Sequence, residues 1–379
     1  MSIALALALV LLAPATPRAD DRSVLFLGNS YTAVNSLPSI VEALAVSGGH
    51  TFTKDSNTPG GNTLGAPQGG GQPHATNPTS LAKIAQGGWD AVVLQDQSYL
   101  PTIPDALAAW SIPGAVSLAA SIHAAEPAAR VVLYQTWGRV SASGPFCAGA
   151  WCSPAFPNFD AMTDALAAAY EQMAVAAGAE VAPVGLAWKR YLAGPAPVAL
   201  HQQDGSHPTL AGSYLAACTF YAVLFDESPV GLAQDMGLGA QLALDLQTAA
   251  WDTVLAESCG TTQTVDGTFD LELRSGGSVG ALVRFAVDGP FAASPVAVFA
   301  CAAQGAQLPV PGGVLGIDLA SVVLGPLWST NHVPGVGVQF GFVVPNLPFL
   351  VGAKIHVQAA SFENGGLVLS DALLWRPCP

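Results

Sequence analysis

Between Arg22 and about Ser258, short and uniformly apolar runs alternate with longer alanine-rich stretches whose hydrophobic residues recur at helical spacing. This alternation constrains the fold more than any other feature of the chain. The runs Ser23–Leu27, His50–Lys54, Ala91–Leu94, Arg130–Tyr134 and Glu180–Pro183 read as strands. Leu37–Val46, Ala106–Ala124 and Phe159–Ala177 read as helices between them, with two more expected from about Pro208 to Leu224 and from about Leu238 to Glu257. A strand that buries one face alternates apolar and polar residues; these runs do not, so both faces must be covered. The order implies an α/β domain: a parallel sheet with helices on both sides.

After Cys259 the pattern changes. Phe269-Asp270-Leu271-Glu272-Leu273-Arg274 and Ala281-Leu282-Val283-Arg284-Phe285-Ala286-Val287 alternate with period two, and Val338–Val344, Lys354–Ala359 and Gly366–Leu369 also read as strands. Gly and Pro separate them, which implies a smaller C-terminal antiparallel β-sandwich domain. A length of 379 residues accommodates two domains, and the boundary is expected between Glu257 and Val265.

The first residues carry an apolar run, Ile3–Leu12, followed by Ala13-Pro14-Ala15. Such a run is too short to span a bilayer and matches a secretory signal peptide, although no Lys or Arg precedes it. Cleavage is expected after Ala15 or Ala19, giving a signal peptide over residues 1–19, an α/β domain over 20–258 and a sandwich over 259–379. No later run of about 18 uninterrupted apolar residues is present, so no transmembrane segment is expected once the signal is removed. The expected location is secreted, cell-surface or periplasmic. Six cysteines fit an oxidising compartment. Cys147 and Cys152 are close enough for a local disulfide, and a bridge from Cys301 to Cys378 would staple the last domain, with Cys218 and Cys259 left over. A net charge of −14, from 12 basic and 26 acidic residues, would repel nucleic acid and anionic lipid.

Ser30 lies in Val24-Leu25-Phe26-Leu27-Gly28-Asn29-Ser30-Tyr31-Thr32, between the first strand and the helix expected near Leu37. That is the carboxyl edge of the sheet, where open parallel sheets bind ligands. Far downstream stands Asp204-Gly205-Ser206-His207-Pro208. A three-residue separation across a Gly-containing turn lets a carboxylate reach the imidazole Nδ1 and leaves Nε2 free to take a proton from a serine hydroxyl.

Gly28-Asn29-Ser30 together with Asp204-x-x-His207 resembles the SGNH (GDSL-like) hydrolase superfamily, over roughly Arg22 to Leu224. The resemblance implies a three-layer α/β/α flavodoxin-like sheet, a serine nucleophile at Ser30, a base at His207 and an orienting carboxylate at Asp204. It implies no metal and no cofactor, and esterases, lipases and carbohydrate deacetylases as the activities. It also implies an oxyanion hole from the backbone N–H of Ser30, a glycine in Pro59-Gly60-Gly61-Asn62-Thr63, and an asparagine after the third strand. Gly61 is the preferred glycine. Val92-Val93-Leu94-Gln95-Asp96-Gln97-Ser98 has no such asparagine; Gln97 stands at the matching place, with Gln95 as fallback. The first block departs too, since Asn29 replaces the usual aspartate.

Gln95, Gln135, Trp137 and Arg139 are candidate substrate contacts on the same edge, Trp137 through stacking on a sugar and Arg139 through a carboxylate. The loop from Gly65 to Thr79 is a candidate wall. Gly276-Gly277-Ser278-Val279-Gly280 fits the G-x-S-x-G pattern, but it lies between two alternating runs and reads as a hairpin turn. His50, His74, His123, His201, His332 and His356 show no ligand spacing. The sequence therefore favours a secreted serine esterase acting on small-molecule or polysaccharide esters, with acetyl or other short acyl groups on carbohydrate preferred. A catalytically weak glycan-binding or adhesion protein and a lipolytic acyl hydrolase are the alternatives.

Overall fold

A computed structural model describes residues 20–67, 71–141 and 144–257 in full, with the backbone of residue 258 and of ten strands between 260 and 376. The chain divides into two compact units, with the boundary between Val254 and Leu255.

The first unit is built on strands β1 (Asp21–Leu27), β2 (Thr51–Asn57), β3 (Ala91–Leu94), β4 (Arg130–Tyr134) and, after a two-rung hairpin of β5 (Cys147–Ala148) and β6 (Trp151–Cys152), β7 (Glu180–Ala182). The five long-range strands form one parallel sheet in the order β2-β1-β3-β4-β7. Successive side chains of β1 go to opposite faces. Val24 and Phe26 join a core with helices α2 (Leu37–Ser47), α7 (Val184–Leu192), α8 (Leu210–Phe225) and α9 (Ala240–Ser258). Leu25 and Leu27 join a second core with α3 (Pro78–Ala85), α5 (Ile112–Ala125) and α6 (Phe159–Ala177). Both faces of the central strands are covered, which is why β3 and β4 do not alternate.

One strand and several helices depart instructively from the sequence reading. The second strand starts at Thr51 and runs to Asn57 because it is an edge strand that pairs along all of β1. Its polar residues Asp55, Ser56 and Asn57 hide its last part from a search for apolar runs. The helix expected over 106–124 begins at α4 (Pro104–Ala106) and passes through a π-helical turn, Leu107–Ser111, into α5. Pro113 explains the turn, since a proline cannot donate to the carbonyl four residues back and its ring crowds that group. By length and composition, Pro104–Ala125 could cross a membrane. Here its Ala115, Leu118, Ala119 and Ile122 pack into the second core. Helices α3 and α7 were not expected; Asn77 caps the former by accepting from Thr79 and Ser80 N–H.

Cys147 and Cys152 form a disulfide across the β5–β6 hairpin. Cys218 is a buried free thiol in α8. Cys378 lies outside the described residues, and the Cys301–Cys378 pairing with it.

In the second unit the strands are β8 (Gly260–Val265), β9 (Asp270–Ser275), β10 (Leu282–Asp288), β11 (Val296–Cys301), β12 (Gln304–Val310), β13 (Gly313–Ile317), β14 (Val322–Ser329), β15 (Val338–Val343), β16 (Ile355–Glu363) and β17 (Gly366–Arg376). They pair antiparallel in the orders β14-β11-β16-β17-β8 and β15-β10-β9, with β12-β13 as a separate hairpin. Ser278 lies outside the described residues, but it joins β9 to its antiparallel neighbour β10. A nucleophile elbow needs a helix after the serine, and the next described element is the strand β10.

Phe26 is fully buried in the first core and Val46 is 63% exposed. In urea denaturation followed by circular dichroism, Phe26→Ala is expected to lose about 3–5 kcal/mol and Val46→Ala to stay within about 0.5 kcal/mol of the parent.

Candidate active site

The strand order reverses direction between β1 and β3, so the crevice beyond their carboxyl ends is the topological switch point of the sheet. Ser30 is the first residue of the short helix α1 (Ser30–Ala33), directly after β1. Gly28 makes the turn possible: a Cβ there would lie 2.5 Å from Thr32 Oγ1 and 2.7 Å from Gln95 Oε1.

Asn29 fastens this turn to its surroundings. Its backbone N–H donates to Gln95 Oε1 at 3.0 Å, and its Nδ2 donates to the carbonyls of Asn62 and Asp96 at 2.9 and 3.2 Å. Its Oδ1 accepts from Tyr31 N–H and Gln95 Nε2 at 3.1 and 2.8 Å. An aspartate could accept as this Oδ1 does, but it could not donate to two carbonyls. The amide at the place of the usual carboxylate is therefore matched to its partners. His74 adds a further tie, with Nε2 donating to Gly28 O at 2.8 Å while Nδ1 accepts from Ser80 Oγ at 2.7 Å. Burial lowers the pKa of this histidine, so the neutral tautomer is favoured.

The opposite side of the site comes from the turn ahead of α8. Asp204 Oδ1 accepts from the N–H groups of Ser206 and His207, both at 2.9 Å, and its Oδ2 meets His207 Nδ1 at 2.5 Å. Gly205 has φ +67°, the left-handed backbone that this tight turn requires. The His207 hydrogen bond, supported by the two backbone donors, outweighs the opposing effect of desolvation and holds the Asp204 pKa down to about 2. His207 Nε2 lies 2.9 Å from Ser30 Oγ. Ser30, His207 and Asp204 thus form one hydrogen-bonded chain. Helix α8 begins after Thr209, whose hydroxyl accepts from Gly212 N–H, so Pro208 precedes the cap instead of opening the helix.

An aromatic stack holds the two sides together. The Tyr31 ring stacks on Trp137 at 4.6 Å and 2°, and Trp137 stacks on Trp188 at 3.7 Å and 5°. Trp137 Nε1 donates to Ser206 O at 3.0 Å, and the Tyr31 and Ser206 hydroxyls are 2.6 Å apart. Tyr31 also presents its edge geometry to His207 at 5.5 Å.

Three candidate substrate contacts are corrected by burial. Trp137 is 0% exposed and sits inside the stack, so no sugar can reach its face. Gln135 is 1% exposed; its Oε1 accepts from Leu186 N–H at the start of α7. Gln95 is 0% exposed and spends its amide on Asn29 and the Asp96 carbonyl. It is a structural clamp, not an oxyanion donor. Gln97 is half-buried, and its Oε1 accepts from Tyr99 and Leu100 N–H at 2.9 and 3.1 Å, which orients its amide. Arg139 is half-buried at the same edge, with Nη2 donating to Ser98 Oγ at 3.1 Å.

Backbone donors are also present. Within α1, Tyr31 N–H is taken by Asn29 Oδ1, and Thr32 and Ala33 N–H by Asn29 O. Ser30 N–H has no hydrogen-bond partner among the described residues, the ordinary condition of a first-turn donor. Gly61 is half-buried with φ +69° beside Asn62, whose own N–H closes a turn on Pro59 O.

Sequence reasoning missed His74 and Asn62. His74 acts on a carbonyl 46 residues away, a contact that no spacing announces. Asn62 is fully buried, receives Asn29 through its carbonyl and leaves its side-chain amide without a partner among the described residues.

The parallel sheet, its strand order and the edge on which Ser30 and His207 meet agree with the layered α/β fold that the sequence resemblance implies. The chain is similar in fold to the crystal structure of a DUF4886 family protein from Bacteroides uniformis, at 21% identity and a TM-score of 0.50, covering 63% of this chain and 96% of that one. Looser likenesses, at TM-scores of 0.34 and 0.35, are to a carbohydrate esterase family 3 structure from Talaromyces cellulolyticus (16% identity; 54% of this chain, 97% of that) and an extracellular lipase from Streptomyces rimosus (17% identity; 54% and 99%). No protein-family model and no curated protein matches the chain.

Asn29→Asp would place a carboxylate against the Asn62 and Asp96 carbonyls. A loss of about 3 kcal/mol is expected at pH 7 in urea denaturation. A buried carboxyl pressed by two acceptors titrates above its unfolded value of about 3.9. The loss should therefore shrink as the pH is lowered towards that value.

Proposed function

We propose that the chain is an exported serine esterase that hydrolyses carboxylic esters through an acyl-enzyme. The observation that carries this reading is the continuous Ser30–His207–Asp204 hydrogen-bonded chain, with contacts of 2.9 and 2.5 Å at the sheet's switch point. Ser30 Oγ attacks the ester carbonyl while His207 Nε2 takes its proton. Asp204 holds the imidazole in the tautomer that leaves Nε2 basic and stabilises the imidazolium once it forms. The N–H groups of Ser30 and Gly61 and the amide of Gln97 receive the negative charge of the tetrahedral intermediate. Collapse expels the alcohol, protonated by His207; a water activated by the same imidazole then releases the acid and restores Ser30.

Within this reading, residues 1–19 direct export, 20–258 form the hydrolase and 259–379 form a β-sandwich appendage. The Cys147–Cys152 disulfide supports an oxidising location. Acetyl or other short acyl groups on carbohydrate are the proposed substrates, by likeness of family. Arg139 is the one sequence-proposed substrate contact that is both partly exposed and on the site's edge.

With a short-chain aryl acetate, Ser30→Ala is expected to lose roughly 10³-fold or more in kcat, and an organophosphonate should label the parent protein at Ser30 only. An unchanged rate in Ser30→Ala would contradict the assignment. Asp204→Asn removes the acceptor for Nδ1 and should cost roughly 10³- to 10⁴-fold in kcat.

Because the Asp204 pKa is lowered, its contribution to stability is present above the unfolded carboxyl value and is lost as the pH falls through about 2. Asp204 thus stays ionised across the working range. The acid limb of log kcat/KM should have the slope of a single proton, that of the base, and a two-proton slope above about pH 3 would show that Asp204 titrates with it.

A further inference from the structure

Arg139 follows β4 on a stretch tied to the acid–base turn, since Val140 N–H donates to Gly205 O at 3.0 Å and His201 Nε2 donates to Gly138 O at 2.9 Å. Its guanidinium carbon lies 5.3 Å from the Tyr99 ring centroid and 5.4 Å from that of Phe146. Those two rings are themselves stacked at 5.2 Å. The Phe146 backbone is held by Ser153, in a hairpin closed by the Cys147–Cys152 disulfide. The cation therefore rests on a fixed aromatic platform.

Its hydrogen bonding is incomplete in a particular way. Nη2 spends a proton on Ser98 Oγ, while Nε is buried and has no partner among the described residues. Nε–H and the second Nη2 proton form the edge of the guanidinium that grips two oxygens of one anion. The chain has 26 acidic residues, and Arg22, Lys54, Lys83, Arg130 and Lys189 each pair with a carboxylate. Arg139 makes no ion pair among the described residues. Leaving a desolvated donor edge unpaired is costly unless a ligand completes it. The edge stands near the reaction centre, because the next residue after Arg139, Val140, is hydrogen-bonded to Gly205 in the turn between Asp204 and His207.

We infer that Arg139 selects ester substrates that carry an oxyanion, a carboxylate or a phosphate, beside the scissile ester. This rests on the serine esterase reading for the bond that is cleaved. The anionic group docks on the Nε–Nη2 edge and the acyl carbonyl faces Ser30. In a strongly acidic protein, one such cation is enough to set the preference, since the surrounding surface repels anions that do not reach it.

Three aryl acetates differing only in a para CH2–OH, CH2–carboxylate or CH2–phosphate group provide the test. The parent protein should favour an anionic ester over the neutral one in kcat/KM, and Arg139→Met should reduce that ratio by about 10- to 100-fold. Arg139→Lys should restore only part of it, because the charge returns without the fork. Each ratio is taken within one protein, so a general loss of activity cancels. The carboxylate and phosphate arms tell which anion fits. A ratio near one in the parent, or one that Arg139→Met leaves in place, overturns the inference.

Calorimetric binding of the same esters to Ser30→Ala, with and without Arg139→Met, separates the two claims. Arg139-dependent binding without turnover by the parent would sustain anion recognition and overturn the esterase reading alone. Turnover without discrimination would do the reverse.

Discussion

The stack of Tyr31, Trp137 and Trp188 is the interaction on which the site depends. Ser30 and His207 are 177 residues apart in sequence and belong to different turns, yet their functional atoms lie 2.9 Å apart. Hydrophobic burial brings turns together to within a few ångströms, but it is non-directional and cannot fix a hydrogen bond. The stack supplies the direction. Tyr31 is the neighbour of Ser30, and Trp137 holds the Ser206 carbonyl beside His207. Each ring pair contributes about 0.5–1.5 kcal/mol beyond its buried area, and the geometry it imposes matters more than that energy.

Asn29 plays the matching role on the Ser30 side. Its amide uses both donor and acceptor capacity to join β1, the Asn62 segment and the end of β3 at the switch point. His74 holds the preceding carbonyl from a third direction. Ser30 thus follows a turn whose neighbouring polar groups are hydrogen-bonded among the described residues. Under the proposed mechanism, surroundings held in this way are what a preorganised site requires.

Much of the α/β unit was legible because burial writes itself into sequence. Ala91–Leu94, Arg130–Tyr134 and Phe159–Ala177 have the bounds that their apolar runs suggest. The meeting of Ser30, Asp204 and His207 could be read because the proposed chemistry needs particular residue types at a tight turn. Trp137 and Gln135 could not be placed, since residues after a strand end reach either the pocket or the core, and only packing decides. Gln95 and Gln97 show the same limit two residues apart: one is sealed under Asn29, the other half-buried at the edge. His74 had no signal at all, because its partner is a backbone carbonyl brought near by the fold.

The central claim is that Ser30 and His207 act as one unit. Turnover of a short-chain aryl acetate by Ser30→Ala, His207→Ala and the double variant measures this directly. Residues that act as a unit are strongly non-additive, so the double variant should lose no more than about the larger single loss, roughly 10³-fold or beyond. Losses that multiply in the double variant would show that the two residues act independently and would contradict the account.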